Sequence, residues 1–139
     1  MTKDMLVHIV SPSQPIVETK ASGVSVPCVQ GYIQILPGHA ALVSEIDIGE
    51  IVVHRSQAKG ELRYFVSGGY VEVDSERVTI LADVVEDVLK IDRERAEAAR
   101  QRADERLISV DASVDVKRAL SAHRRAEARL LASIKSTRI

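Results

Sequence analysis

Up to about Asp83 the apolar residues come in short runs rich in valine and isoleucine, separated by turn formers. Leu6–Val10 ends at Ser11-Pro12, Val24–Val26 at Pro27, and Gly31–Leu36 at Pro37-Gly38. Ile51–His54 ends near Gln57 to Gly60, Leu62–Val66 meets Gly68-Gly69, Tyr70–Val73 turns at Asp74-Ser75, and Val78–Leu81 closes the series. Runs of this length with regular punctuation predict an all-β sandwich of roughly ten short strands. Beyond Asp83 the pattern changes. No Gly or Pro follows Gly69, and from Asp92 the chain is dominated by Ala, Arg, Glu and Leu, strong helix formers. Asp92 is suited to cap the first helix, and Ala96, Ala99, Ala103 and Leu107, with Ile91 just before, fall at helical spacing. Ile108–Ala112 interrupts the pattern. Ser113 is the expected second cap, with Asp115 in the next turn. Ala119, Ala126, Leu130 and Ile134 then form a second stripe, with Leu120 and Leu131 beside it. Two helices joined by a short connection pack as an antiparallel hairpin. The expected organisation is a β-sandwich domain over 1–86 and a helical hairpin over 87–139. The stripes are mostly alanine, which buries little area, so the hairpin is expected to be loosely held and able to open without melting.

Composition narrows the function. Among 139 residues there is no Trp, one Phe and three Tyr, which leaves little for base stacking. Cys28 is alone, so no internal disulfide forms, and its apolar strand suits a small buried side chain better than a nucleophile. The start of the chain lacks the apolar run of a signal peptide, and no stretch approaches the roughly 20 apolar residues of a membrane span. Direct membrane insertion is therefore not expected, and membrane association would come through partners. His8, His39, His54 and His123 show no metal-ligand spacing, and His39, after a Pro-Gly turn, has no partnered nucleophile. Gly68-Gly69 lacks the context of a phosphate loop. No active site is expected.

Charge is divided along the chain. The net −1 is the sum of −5 over residues 1–91 (7 basic, 12 acidic) and +4 over 92–139 (12 basic, 8 acidic), and all but two of the latter bases are arginines. Arg93, Arg100, Arg118, Arg124 and Arg125 are expected to dock on an acidic partner surface rather than to form pairs within their helices. A basic hairpin that binds nucleic acid is the alternative reading; the acidic first part opposes it.

Four segments carry a family resemblance. Val24-Ser25-Val26-Pro27 is followed by Gly31 and then by Leu36-Pro37-Gly38-His39-Ala40. Next come Phe65-Val66-Ser67-Gly68-Gly69-Tyr70-Val71-Glu72-Val73 and Arg77-Val78-Thr79-Ile80-Leu81-Ala82-Asp83, and last Ile91-Asp92-Arg93-Glu94-Arg95-Ala96. In this order and spacing, over nearly the whole chain, the sequence resembles the epsilon subunits of F-type ATP synthases. It departs from them at Cys28-Val29-Gln30, Ala41 and Ile48-Gly49. The resemblance implies a non-catalytic subunit of the rotating central stalk in a proton-translocating enzyme. The sandwich would bind the gamma subunit and the c-ring, with Gly31, Pro37, Gly38, His39, Ser67, Gly68 and Gly69 at the interface. The hairpin would fold on the sandwich or extend toward the catalytic beta and alpha subunits and block ATP hydrolysis. No cofactor is required. ATP is the implied regulatory ligand, held by Glu86, Ile91, Asp92, Arg95, Ala96, Arg125 and Arg129 and favouring the folded form. The implied location is peripheral, on the cytoplasmic face of a bacterial plasma membrane in preference to a thylakoid.

Overall fold

Alternating burial shapes the first strand, β1 (Met5–Ser11): Met5, Val7 and Ile9 are buried and the residues between them only half-buried. The computed structural model describes residues 4–12, 14–56, 60–108 and 115–136, and it divides into two units, Met1–Asp87 and Val88–Ile139. The first unit continues with β2 (Gln14–Cys28), β3 (Gly31–Ile35), β4 (Leu42–Glu45), β5 (Ile48–Arg55), β6 (Glu61–Val73) and β7 (Arg77–Asp87). Hydrogen-bonded pairing closes a ring in the order β1, β7, β6, β5, β2 and back to β1, with β3 attached to β2 and β4 to β6. Inside it pack Val7, Ile9, Val24, Val26, Ile35, Ile51, Val53, Val66, Val71, Val78 and Ile80. These are the β-branched side chains that stand well on a pleated surface. Cys28 is buried with them.

Two long strands change partners along their length. The first half of β2 pairs with β1, and the second half with β3 and β5. The changeover is a bulge at Ser22, between Ala21 opposite Arg55 and Gly23 opposite His54, where Ser22 Oγ donates to His54 O at 3.2 Å. The second such strand is β6, and here the structure corrects the expectation. The pattern predicts separate strands at Leu62–Val66 and Tyr70–Val73 and roughly ten strands in all; β6 runs unbroken through Gly68-Gly69, and the described residues form seven strands. Its register with β7 is unchanged across the glycines, Ser67 facing Val84 and Gly69 facing Ala82. On its other edge the partner changes, from β5 up to Ile48–Ser67 to β4 from Glu45–Tyr70. Gly69 has φ 120°, and a Cβ there would lie 2.1 Å from Leu81 O; at Gly68, with φ 79°, it would lie 2.6 Å from Asp83 Oδ2. The glycines bend a continuous strand round a corner of the sandwich, and sequence alone cannot tell a bend from a stop. Two further stretches escape the pattern: the first half of β2, whose Glu18-Thr19-Lys20 masks the alternation, and the four-residue strand β4.

The second unit holds a 3₁₀ turn (Val88–Lys90), α1 (Arg93–Ile108) and α2 (Val116–Ser136). Asp92 caps α1, its Oδ1 accepting from Arg95 N at 3.1 Å. Asp115 does the same for α2 through Arg118 N at 3.1 Å, while Ser113, the expected cap, lies outside the described residues.

Candidate functional site

The hairpin is built round an alanine seam. Ala96 and Ala103 of α1 and Ala119 and Ala126 of α2 are buried, whereas Leu120, Leu131 and Ile134 are 48%, 58% and 45% exposed. Alanine lets two helices approach closely but contributes little hydrophobic stabilisation. Polar contacts span the seam among the described residues. At its open end Arg93 Nη2 donates to Ser133 O at 2.7 Å, and farther along His123 Nε2 lies 2.9 Å from Asp104 Oδ1. Glu127, one turn on from His123, stands 3.8 Å from the other ring nitrogen.

The two flanks of the seam differ in charge. Measured from the seam direction, Arg95, Arg102 and Arg106 on α1 and Arg118, Arg125 and Arg129 on α2 all project about 60–110° to one side. Both rows have the spacing i, i+7, i+11. The five carboxylates within the two helices, Glu94, Glu97, Asp104, Glu105 and Glu127, all lie on the opposite flank or the back. That opposite flank carries a shallow groove of about 510 Å3 lined by Arg93, Glu94, Glu97, Ala98, Gln101, Leu130 and Ile134. Among the described residues, the side chains of Arg95, Arg102, Arg106, Arg118 and Arg125 make no hydrogen bond or ion pair. Arg100, by contrast, is paired with Glu97.

The positions expected to hold ATP are partly assembled by this arrangement. Arg95, Arg125 and Arg129 share the arginine flank, with Ala96 in the seam beside them. Asp92 is exposed but engaged as the helix cap, and Ile91 is half-buried just before it. Glu86 belongs to the other unit, on β7 opposite Phe65. The residues expected to dock on an acidic partner do not share one face. Arg118 and Arg125 are on the arginine flank; Arg93, Arg100 and Arg124 are not. Arg102 and Arg106 complete the flank, and the i, i+7, i+11 spacing marks them in the sequence.

In the β unit the expected interface residues fall into two groups. Gly31 closes the β2–β3 turn, and that turn is tied to the corner of β6: Val29 N donates to Glu45 O at 3.0 Å, Asp47 N to Pro27 O at 2.8 Å and Ile46 N to Gly69 O at 2.8 Å. Gly31 faces Cys28, which bridges to Ile46, so the turn is linked to Gly69 through Ile46, and Val29 and Tyr32 are exposed at 56% and 63% at that turn. Pro37, Gly38 and His39 lie at the other end of β3, roughly 15 Å along the strand. There His39 N donates to Leu36 O at 3.1 Å to close the turn, and His39 Nδ1 donates to Ala40 O at 2.8 Å. This geometry makes His39 a turn residue. Across β5 and β6, Arg63 donates to the largely buried Glu50 at 2.9 Å and to Glu61 at 2.8 Å, and the Glu50 bond above all holds the guanidinium more firmly protonated than usual. Burial, and then the Asp87 carboxylate, push the Tyr64 phenol up, with Arg55 opposing. Among the described residues no group of His, Cys, Asp and Glu is placed to hold a metal, and no helix is long and apolar enough to cross a membrane.

Comparison with known proteins accounts for both units. Residues 4–88 match the family model of the ATP synthase delta/epsilon chain β-sandwich domain, and residues 90–133 that of its long α-helix domain. The chain belongs to the ATP synthase delta/epsilon family. Its relatives within the family include the ATP synthase epsilon chain of Bacillus subtilis (strain 168), 44% identical over 116 residues, or 83% of this chain and 86% of the relative. That of Moorella thermoacetica is 40% identical over 109 residues, covering 78% and 81%. The fold is shared with a chain in the mitochondrial ATP synthase of Euglena gracilis, with TM-score 0.79, 18% identity and coverage of 96% of this chain and 80% of that one. It is also shared with a chain in the central stalk and c-ring of the Tetrahymena thermophila enzyme, with TM-score 0.64, 16% identity and coverage of 95% and 98%. The delta/epsilon family supplies structural stalk subunits, not catalytic ones, to the ATP synthase.

Proposed function

We propose that the chain is an epsilon-type subunit of the central stalk in a proton-translocating ATP synthase. Its β unit binds the gamma subunit and the c-ring through contacts at Gly31, at Ser67–Gly69 and at the Pro37–His39 turn. Its hairpin restrains ATP hydrolysis when extended toward the catalytic beta and alpha subunits, where Arg118 and Arg125 meet an acidic segment. ATP gripped by Arg95, Arg125 and Arg129 opposes that extension. The enzyme to which the chain belongs sits on the cytoplasmic face of a bacterial plasma membrane. One observation carries the reading: two consecutive family domains, over 4–88 and 90–133, with a hairpin whose seam is alanine. A seam of that kind closes and opens at small cost in free energy, as a regulatory arm must.

The test is hydrolysis by the assembled enzyme carrying the chain truncated after Ile91. Hydrolysis should rise; an unchanged rate would refute inhibition by the hairpin. Titration of the full chain with ATP, followed by NMR, examines the nucleotide separately. Saturable shifts at Arg95 and Arg125 are expected, and their absence at millimolar ATP would remove ATP from the account.

A further inference from the structure

The arginine flank is larger than one nucleotide needs. From Arg95 to Arg106 it runs about 16 Å along α1, with the second row on a helix about 8–10 Å away. Arg95, Arg102, Arg106 and Arg118 are exposed, Arg125 is half-buried, and none of the five has a partner among the described residues. No carboxylate within either helix falls between them, although five are present in the two helices. That segregation leaves a broad face of mostly like charge, with the cap carboxylates Asp92 and Asp115 at the helix starts. The flank also lacks the apolar centre that a stable protein interface needs, because Leu120, Leu130, Leu131 and Ile134 all point to the seam, the back or the opposite flank. A broad cationic face without an apolar anchor can complement an extended plane of negative charge as well as a short acidic segment.

We propose that this flank is an electrostatic contact surface for an anionic lipid bilayer. Headgroup phosphates meet the guanidiniums at the surface, and nothing inserts into the acyl region, since no large apolar side chain accompanies the arginines. Each basic residue near such a surface changes partition about fivefold, so five together give binding that is strong at low salt and lost as the Debye length shrinks. The inference concerns the isolated chain and does not rest on the inhibitory role of the hairpin.

The test is flotation of the full-length chain with vesicles of neutral phosphatidylcholine and with vesicles containing about one third phosphatidylglycerol. Binding should be confined to the anionic vesicles at low salt and abolished at about 0.5 M salt. The triple variant R102Q/R106Q/R118Q should bind on the order of 100-fold more weakly, with its helical circular dichroism retained. A variant matched for charge, K20Q/R77Q/K90Q, with its substitutions at exposed sites off the flank, should bind like the parent. Absence of binding to anionic vesicles at low salt overturns the proposal, as does equal loss in the two triple variants. Retention on an immobilised acidic peptide without vesicle binding also overturns it, and assigns the flank to a protein partner.

Discussion

Removing the polar contact between His123 and Asp104 should loosen the hairpin measurably without unfolding it. The four buried seam alanines contribute about 0.8 kcal/mol for each methyl, or about 3 kcal/mol in all, before entropy is charged. Against so thin a seam, one interhelical contact between polar side chains matters. Its length is 2.9 Å, and its partners are 25% and 46% exposed, so solvent weakens it toward the lower half of the usual range, about 0.5–1 kcal/mol. The effect of His123→Ala alone mixes the lost bond with lost packing of the ring. A double-mutant cycle with Asp104→Ala isolates the pair. Native-state hydrogen exchange at the α2 seam amides reads the opening free energy, and the coupling should raise the open population about twofold to fivefold. The Glu97–Arg100 pair lies within one helix and serves as control, since its loss leaves the seam intact. A His123–Asp104 coupling indistinguishable from zero would show that the alanine contacts alone hold the hairpin.

Two predictions concern the β unit. Gly69→Ala should destabilise it by about 3 kcal/mol or more, combining strain at φ 120° with displacement of the Leu81 carbonyl, and thermal unfolding should fall by upwards of about 10 °C. Gly31→Ala, at φ 124° with nothing within 4 Å of the added Cβ, should cost clearly less, and equal losses would contradict the corner argument. Because burial and Asp87 raise the Tyr64 phenol, the unfolded chain ionises first, near pH 10. Above that point the unfolded state binds fewer protons than the folded one, so stability that is fully present below pH ~10 is lost as pH rises. Urea unfolding of Tyr64→Phe between pH ~8 and ~11 should show a shallower alkaline decline than the parent, and parallel curves would count against it.

Local interactions made much of this protein legible in its sequence. The change from period-two valine and isoleucine runs to alanine and arginine at helical spacing separates the two units, because each periodicity suits one backbone geometry. Asp92 could be placed as a cap, and Ala96, Ala103, Ala119 and Ala126 as seam residues, since a helix brings residues three and four apart onto one face. Other features depended on distant partners. Gly68-Gly69 reads as a stop, and only the exchange of β5 for β4 beside it reveals a bend. The polar first half of β2 is held as a strand by β1, not by its own composition. His123 was one of four scattered histidines until the antiparallel seam brought it to Asp104. The arginines lay in view throughout, but which of them carboxylates neutralise, and which share a flank, was decided by where the second helix lies against the first. Periodicity acts over a few residues and is written in the chain, whereas charge pairing and strand exchange depend on which distant segments meet.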